Sequence, residues 1–243
     1  MWSVYRKEIV SFLSSVTGYL VMSVFLILLG LFMWVFPDTS ILNYNYATLS
    51  QLFDLSPFIF LFLIPAISMR SFSEEFQIGT MELLSTKPLR DADIVLGKYF
   101  AIITLVFLAL LPTLFYVYSV YDLGAPRGNI DLGAVWGSYL GLLLLAASFS
   151  AIGLFASSLT SNQIIAFLFA VALCFILYLS FQYISKFPVF YGNIDGIIQR
   201  LGMDYHYVSL SKGLIDSRDV IYFLSLIVFF LISTRVKLSS RKW

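Results

Sequence analysis

Apolar residues gather into six long runs along the chain, and polar residues collect in the gaps between them. The runs cover 17–36, 49–69, 99–121, 132–159, 164–185 and 220–238. A helix rises ~1.5 Å per residue and a bilayer's hydrocarbon core is ~30 Å thick, so about twenty apolar residues suffice to cross it. Each run therefore predicts a membrane-spanning helix. The second is the most interrupted: Pro57 and Pro65 break its charge-free part, and 49–53 extends it past Asp54. The third contains Pro112, which neighbouring helices accommodate within a bilayer. The fourth is long enough to tilt, or to bend at Gly141 or Gly153. Arg235 and Lys237 lengthen the last by reaching toward the headgroups.

Three other stretches carry a pattern of their own. In 1–16, Trp2, Tyr5, Ile9, Phe12, Leu13 and Val16 recur on one helical face, while Ser3, Lys7, Val10, Ser11 and Ser14 face away. That predicts a helix lying in the membrane interface, with Arg6 at its edge. The window 70–98 is the most charged of the chain, with Arg70, Lys87, Arg90 and Lys98 against Glu74, Glu75, Glu82, Asp91 and Asp93. Ser71 and Glu74 have capping-box spacing. One amphipathic helix is expected from there, with Phe72, Phe76, Gly79 and Leu83 on one stripe, Glu75 and Glu82 on another, and Pro88 ending it. Finally, 186–219 mixes apolar residues with charges, which predicts short helices on the outer leaflet, and 157–163 is a short polar turn.

Composition agrees with a membrane setting. The chain is 60% hydrophobic and 12% charged, about half the charged share of a soluble domain. A net charge of +1 argues against nucleic acid as a partner. Cys174 is the single cysteine, so neither an intrachain disulfide nor a cysteine metal cluster is open to it. No small-residue cleavage site closes the first apolar run, which is expected to stay as an anchor. Six spans bring both termini to one side. If that side is the cytoplasm, ten basic residues lie inside and five outside: Arg127, Lys186, Arg200, Lys212 and Arg218 are the outer ones.

Several chemistries lack their residues. No G-x-x-x-x-G-K-[ST] string is present to cradle a nucleotide phosphate, so any ATP is hydrolysed by another chain. His206 is the only histidine, and a membrane-embedded metalloenzyme needs two or three good ligands. The Glu74-Glu75 pair is not followed by the arginine and histidines of an intramembrane protease. No predicted span holds an ionisable residue apart from Asp54 at the edge of the second and the basic residues that end the last. Ion-coupled transporters usually carry such groups in their spans.

The string E-E-F-Q-I-G-T-M-E-L-L-S-T-K-P-L, followed by Gly97-Lys98, resembles the cytoplasmic coupling segment of ABC-2 type transporter permeases. The helix at 1–16 is similar to the N-terminal elbow helix of that family, 157–163 to its connection between the fourth and fifth spans, and 186–219 to its outer helices. Within the family, M-W-S-V-Y-R-K-E-I and G-M-D-Y-H-Y-V-S-L-S-K-G-L-I-D-S-R-D-V-I-Y-F look nearest to gliding-motility permease subunits. The resemblance implies an all-α integral membrane protein: one domain over 1–243, with six transmembrane helices, an interfacial elbow helix and a cytoplasmic coupling helix. It implies a bacterial inner-membrane permease that acts by alternating access, paired with a second permease copy or a related permease. Its energy would come from a cytosolic ABC ATPase binding ATP and Mg, and its partners would include an auxiliary gliding-motility membrane protein and the lipid bilayer. Glu74, Glu75, Gly79, Thr80, Glu82, Leu83, Leu84 and Pro88 would form the ATPase-coupling interface, and Trp2, Tyr5, Ile9 and Phe12 the interfacial face of the elbow. No catalytic, cofactor or metal residue is expected in this chain. Two other readings stand beside it: a non-transporting membrane anchor of a gliding or secretion machine, and an enzyme using Asp38, Asp54 or Asp204 at the outer surface.

Overall fold

A computed structural model describes residues 1–43, 46–85, 90–188, 192 and 194–240, with the side chains of Thr17, Leu83, Leu84 and Ser85 outside that description. Helix α1 (Trp2–Leu13) is followed by α2 (Val16–Gly30), α3 (Ser50–Ser68), α4 (Arg70–Gln77), α5 (Thr80–Ser85), α6 (Asp91–Leu110) and α7 (Leu114–Leu123). Then come α8 (Leu132–Leu159), α9 (Gln163–Phe175), α10 (Phe181–Ser185), α11 (Asp195–Leu201), α12 (Met203–Leu210) and α13 (Ser217–Ser239). No strand occurs among the described residues. Six helical segments are long and apolar enough to cross a membrane. The molecule is an all-α membrane protein.

The most buried of these segments, α8, is the axis of the bundle. It packs on α3, α6, α9 and α13, and touches α4 near one end and α12 near the other. Small residues let those neighbours approach closely, as packing inside a bilayer favours. At Gly137 an added Cβ would stand 2.8 Å from the backbone of Gly213, so the loop between α12 and α13 lies directly on α8. The Ser138 hydroxyl donates to the Ser211 carbonyl at 2.7 Å across the same contact. The outward faces of α2, α9 and α13 keep large apolar side chains such as Ile27, Phe169 and Phe229 exposed. Such faces suit lipid, which is as apolar as they are.

Two prolines lie inside α3, which runs on through them. Pro57 has no N–H to offer the carbonyl of Phe53 one turn earlier. The Tyr207 hydroxyl of α12 donates to that carbonyl instead, at 2.7 Å. The third apolar segment is divided at Pro112 into α6 and α7, joined by a tight turn at Leu111–Thr113.

The charged window differs from its expected single helix. It forms two helices, α4 and α5, separated at Ile78 and Gly79. Gly79 has φ +73, a left-handed conformation that L side chains disfavour and glycine adopts freely. The glycine is a stop signal, so Glu75 and Glu82 do not share one helical face. The capping box is also absent. Ser71 is buried, and the cap comes from another element: the Ser157 hydroxyl of α8 accepts from the N–H groups of Phe72 and Ser73 at 2.9 and 3.1 Å and donates to the Met69 carbonyl at 2.8 Å.

Candidate functional site

The end of the bundle that carries α1, α4 and α5 contains a buried ionic cluster. Its centre is Lys98, whose side chain is 1% exposed. The residue lies two turns into α6, on the same face as the buried Ile94, Ala101, Ile102 and Leu105. Its Nζ donates to Glu8 Oε1 at 2.8 Å and to the Ser71 carbonyl at 2.6 Å, and stands 3.0 Å from Glu75 Oε1. The ammonium thus makes two hydrogen bonds and an ion pair with a second carboxylate. The Phe72 ring lies 5.1 Å from the same nitrogen, adding a cation–π contact.

Lys7 completes the set by donating to Glu75 Oε1 at 2.8 Å. Burial acts to lower the Lys7 pKa, but the Glu75 hydrogen bond and the charges of Glu75, Glu8 and Glu74 outweigh it and raise the value. The two lysines balance Glu8 and Glu75, which keeps a charged group tolerable in a dry setting. Glu75 Oε2 has no hydrogen-bond partner among the described residues. Four elements are joined here: α1 through Lys7 and Glu8, α4 through Glu75 and Ser71, α6 through Lys98, and α8 through the Ser157 cap on α4. A cavity of about 450 Å³ borders the cluster, lined also by Glu74, Thr80 and Phe12.

Helix α1 approaches α6 closely because Gly97 lacks a side chain. A Cβ there would stand 3.0 Å from both Val4 Cβ and the Met1 carbonyl. Val4 is the buried residue of α1. Of the expected apolar face, Trp2 is exposed and stacks on Tyr5 with ring centroids 5.2 Å apart. Tyr5 reaches Thr104 on α6 at 3.1 Å, while Ile9 and Phe12 pack half-buried against the core. Lys7 was expected to face away, yet it turns into the cluster with Glu8.

The expected coupling residues separate into an inner and an outer group. Glu75, Gly79 and Glu82 line a groove of about 300 Å³, with Thr160 and Ser161 of the turn between α8 and α9 on its other side. Glu82 and Gly79 are exposed on it, Thr80 is half-buried beside it, and Glu74 is exposed at the neighbouring cavity. Glu75 forms the inner wall, its carboxylate held by Lys7 and Lys98 rather than by solvent. Pro88 and the side chains of Leu83 and Leu84 lie outside the described residues.

Residues 36–233 match the family model described as ABC-2 family transporter protein, a stretch that holds α4, α5 and Lys98 of this site and leaves α1 outside it. The chain belongs to the ABC-2 transporter family. It is the transmembrane permease subunit of an ABC transporter, a multi-pass membrane protein of a family whose members lack their own ATPase site and work with a cytosolic ABC ATPase. None of the curated proteins matches the chain.

Sequence reasoning about this ABC-2 permease missed Lys98, Glu8, Lys7 and Ser157 as parts of one site. In the sequence Lys98 is one more charge of the 70–98 window, next to the apolar run that starts at residue 99. Extending the helical period backward from Leu105 through Ile102, Ala101 and Ile94 puts Lys98 on the buried stripe, and that signal was available. Asp54 and Asp204, read as separate surface carboxylates, both act electrostatically on Tyr178 and Tyr207. Among the described residues, no group of three His, Cys, Asp or Glu side chains forms a metal-binding set.

Proposed function

We propose that this chain is the membrane half of a dimeric ABC-2 transporter in a bacterial inner membrane, with both termini in the cytoplasm. A second permease copy or a related permease completes the membrane part. A separate cytosolic ATPase docks on the groove of Gly79, Glu82, Thr160 and Ser161. Closure of the ATPases on ATP and Mg moves α4 and α5, and the spans rock between inward and outward arrangements. The resemblance of the two terminal stretches supports a role in gliding motility, as a permease of the GldF type with an auxiliary gliding membrane protein.

The observation that supports this reading best is the connection behind the groove. Glu75 on its inner wall joins Lys98 of α6 and Lys7 of α1, so a load applied to α4 and α5 passes directly to a span and to the N-terminal helix. An interface built this way transmits motion instead of absorbing it.

The test is affinity purification of the chain in mild detergent, followed by identification of the ATPase that co-elutes. Glu82→Arg is expected to leave the protein abundant in the membrane and to lose the ATPase. Disrupting a desolvated charge pair costs ~2–5 kcal/mol, whereas a solvated glutamate changes binding within about 0.5 kcal/mol. Asp38→Arg, an exposed position outside the groove, is the control and should retain the ATPase. Undiminished co-elution with Glu82→Arg would remove the groove from the docking surface.

A further inference from the structure

At the end of the bundle opposite Lys98, the ring of His206 lies where α12 meets the last turn of α11 and the first turn of α13. Its Nδ1 faces Asp219 Oδ1 at 2.7 Å, and its Nε2 faces the Arg200 carbonyl at 2.9 Å. His206 and Asp219 are both buried. A carbonyl oxygen can only accept, and so can an ionised carboxylate. A neutral imidazole has one N–H and one bare nitrogen, so it would satisfy one partner and turn a lone pair on the other. An imidazolium satisfies both.

The surroundings favour that second proton. Asp219 is a counter-ion in contact. The Arg200 carbonyl belongs to the C-terminal turn of α11, where carbonyls lack partners within the helix and carry partial negative charge. Tyr222 stacks on the imidazole with ring centroids 3.9 Å apart, and Tyr205 meets it edge-on at 5.3 Å. An aromatic face attracts a cation. The other charged groups of these elements are engaged elsewhere or face outward. Arg200 and Arg218 are exposed. Asp195 accepts from the Gly196 N–H, and Asp216 caps α13. Asp204 is bonded by Tyr178, from the segment between α9 and α10, and acted on by the Lys186 charge. Helix α8, which packs on α12, holds no Asp, Glu, Lys or Arg, and its Tyr139 bonds to Thr113.

We propose that His206 is held as an imidazolium and latches the end of α11 to α12 and α13, a latch that loosens when the ring gives a proton up to water. The remaining N–H then stays on the stronger acceptor, Asp219, and the bare Nε2 meets the Arg200 carbonyl lone pair to lone pair. That contact opens. The Tyr222 hydroxyl still donates to the neighbouring Leu201 carbonyl at 2.6 Å, so α11 loosens at its end without leaving. The latch is closed in acid and open in base. Imidazole is the side chain whose charge changes near neutral pH, which suits it to this task. Nothing in the latch depends on ATPase docking at the other end of the bundle.

His206 is the only histidine of the chain, so ring-¹⁵N labelling gives a single pair of nitrogen signals. The full chain is purified on a histidine-free tag and placed in phosphatidylcholine nanodiscs. Both ring nitrogens are expected to carry hydrogen in acid. Nε2 should lose its hydrogen as the pH is raised through the imidazole range, about pH 5–8. Amide hydrogen exchange over 195–201, corrected for its intrinsic pH dependence, should then rise at least about tenfold, the worth of one hydrogen bond from a charged donor. Asp219→Asn should keep α11 protected across the whole range, because the carboxamide can donate to Nδ1 while a neutral ring keeps its N–H for Arg200. If that variant does not fold, the wild-type signals and exchange decide alone. Ring signals that do not change across the range overturn the latch, as does exchange over 195–201 that is equal in the two charge states.

Discussion

Lys98 Nζ stands 3.0 Å from Glu75 Oε1, in a position where the lysine side chain is 1% exposed and the glutamate 7%. A pair this deep contributes little net stability when intact, because desolvation offsets its attraction, but breaking it is costly. Lys98→Met leaves Glu8 and Glu75 facing an apolar side chain. It is expected to destabilise the protein by ~3–5 kcal/mol, read as a lower melting temperature in detergent. Lys98→Met combined with Glu75→Gln should recover much of that loss, since one stranded charge is then gone. No recovery would mean that the cluster is held by packing rather than by charge balance.

Gly79 separates α4 from α5 at φ +73, and an added Cβ there meets nothing within 4 Å. The cost of a side chain is therefore conformational and not steric. Gly79→Ala should lose ~1–2 kcal/mol, the penalty of the left-handed conformation. Gly79→Val should lose more, and Gly79→Asn less, because asparagine adopts that conformation more readily. Equal melting temperatures for the valine and asparagine variants would show that the joint does not require φ > 0.

The Tyr207 hydroxyl occupies the carbonyl of Phe53 that Pro57 leaves free. Tyr207→Phe should cost ~1–3 kcal/mol, the price of a buried acceptor without a donor. Adding Pro57→Ala restores an N–H one turn below that carbonyl. The double variant is expected to melt above Tyr207→Phe alone, and failure to do so would assign the effect of Tyr207 to its ring.

Asp204 has its pKa raised from the ordinary 3.8 by burial, against the opposing effects of the Tyr178 hydrogen bond and the Lys186 charge. A carboxyl with a raised folded pKa holds its proton more tightly folded than unfolded. Its ionised form detracts from stability at neutral pH, and the loss is relieved as pH falls through the folded pKa. Asp204→Asn should therefore raise the melting temperature at about pH 7, with the gain shrinking toward about pH 4. A gain that grows on acidification would contradict the raised value.

Hydropathy and length alone determined an all-α membrane protein with six helices able to cross a bilayer. Every lipid-exposed backbone group must be satisfied inside its own segment, so a run of about twenty apolar residues has essentially one solution. The string around Gly79 and Glu82 also pointed to the ABC-2 family before any coordinates. The break at that glycine is not read from the string, whose stripe of Phe72, Phe76, Gly79 and Leu83 predicts one helix; the left-handed backbone at Gly79 divides it. What sequence did not give was which charges go inside. Glu8 meets Lys98 across 90 positions, and Lys7 meets Glu75 across 68. A lysine at the edge of an apolar run is equally suited to water or to a buried carboxylate, and only the approach of α1 and α4 to α6 chooses between them. Local pattern fixes helices because their hydrogen bonds are local. The burial of a charge depends on partners from distant elements, so only the tertiary structure decided it.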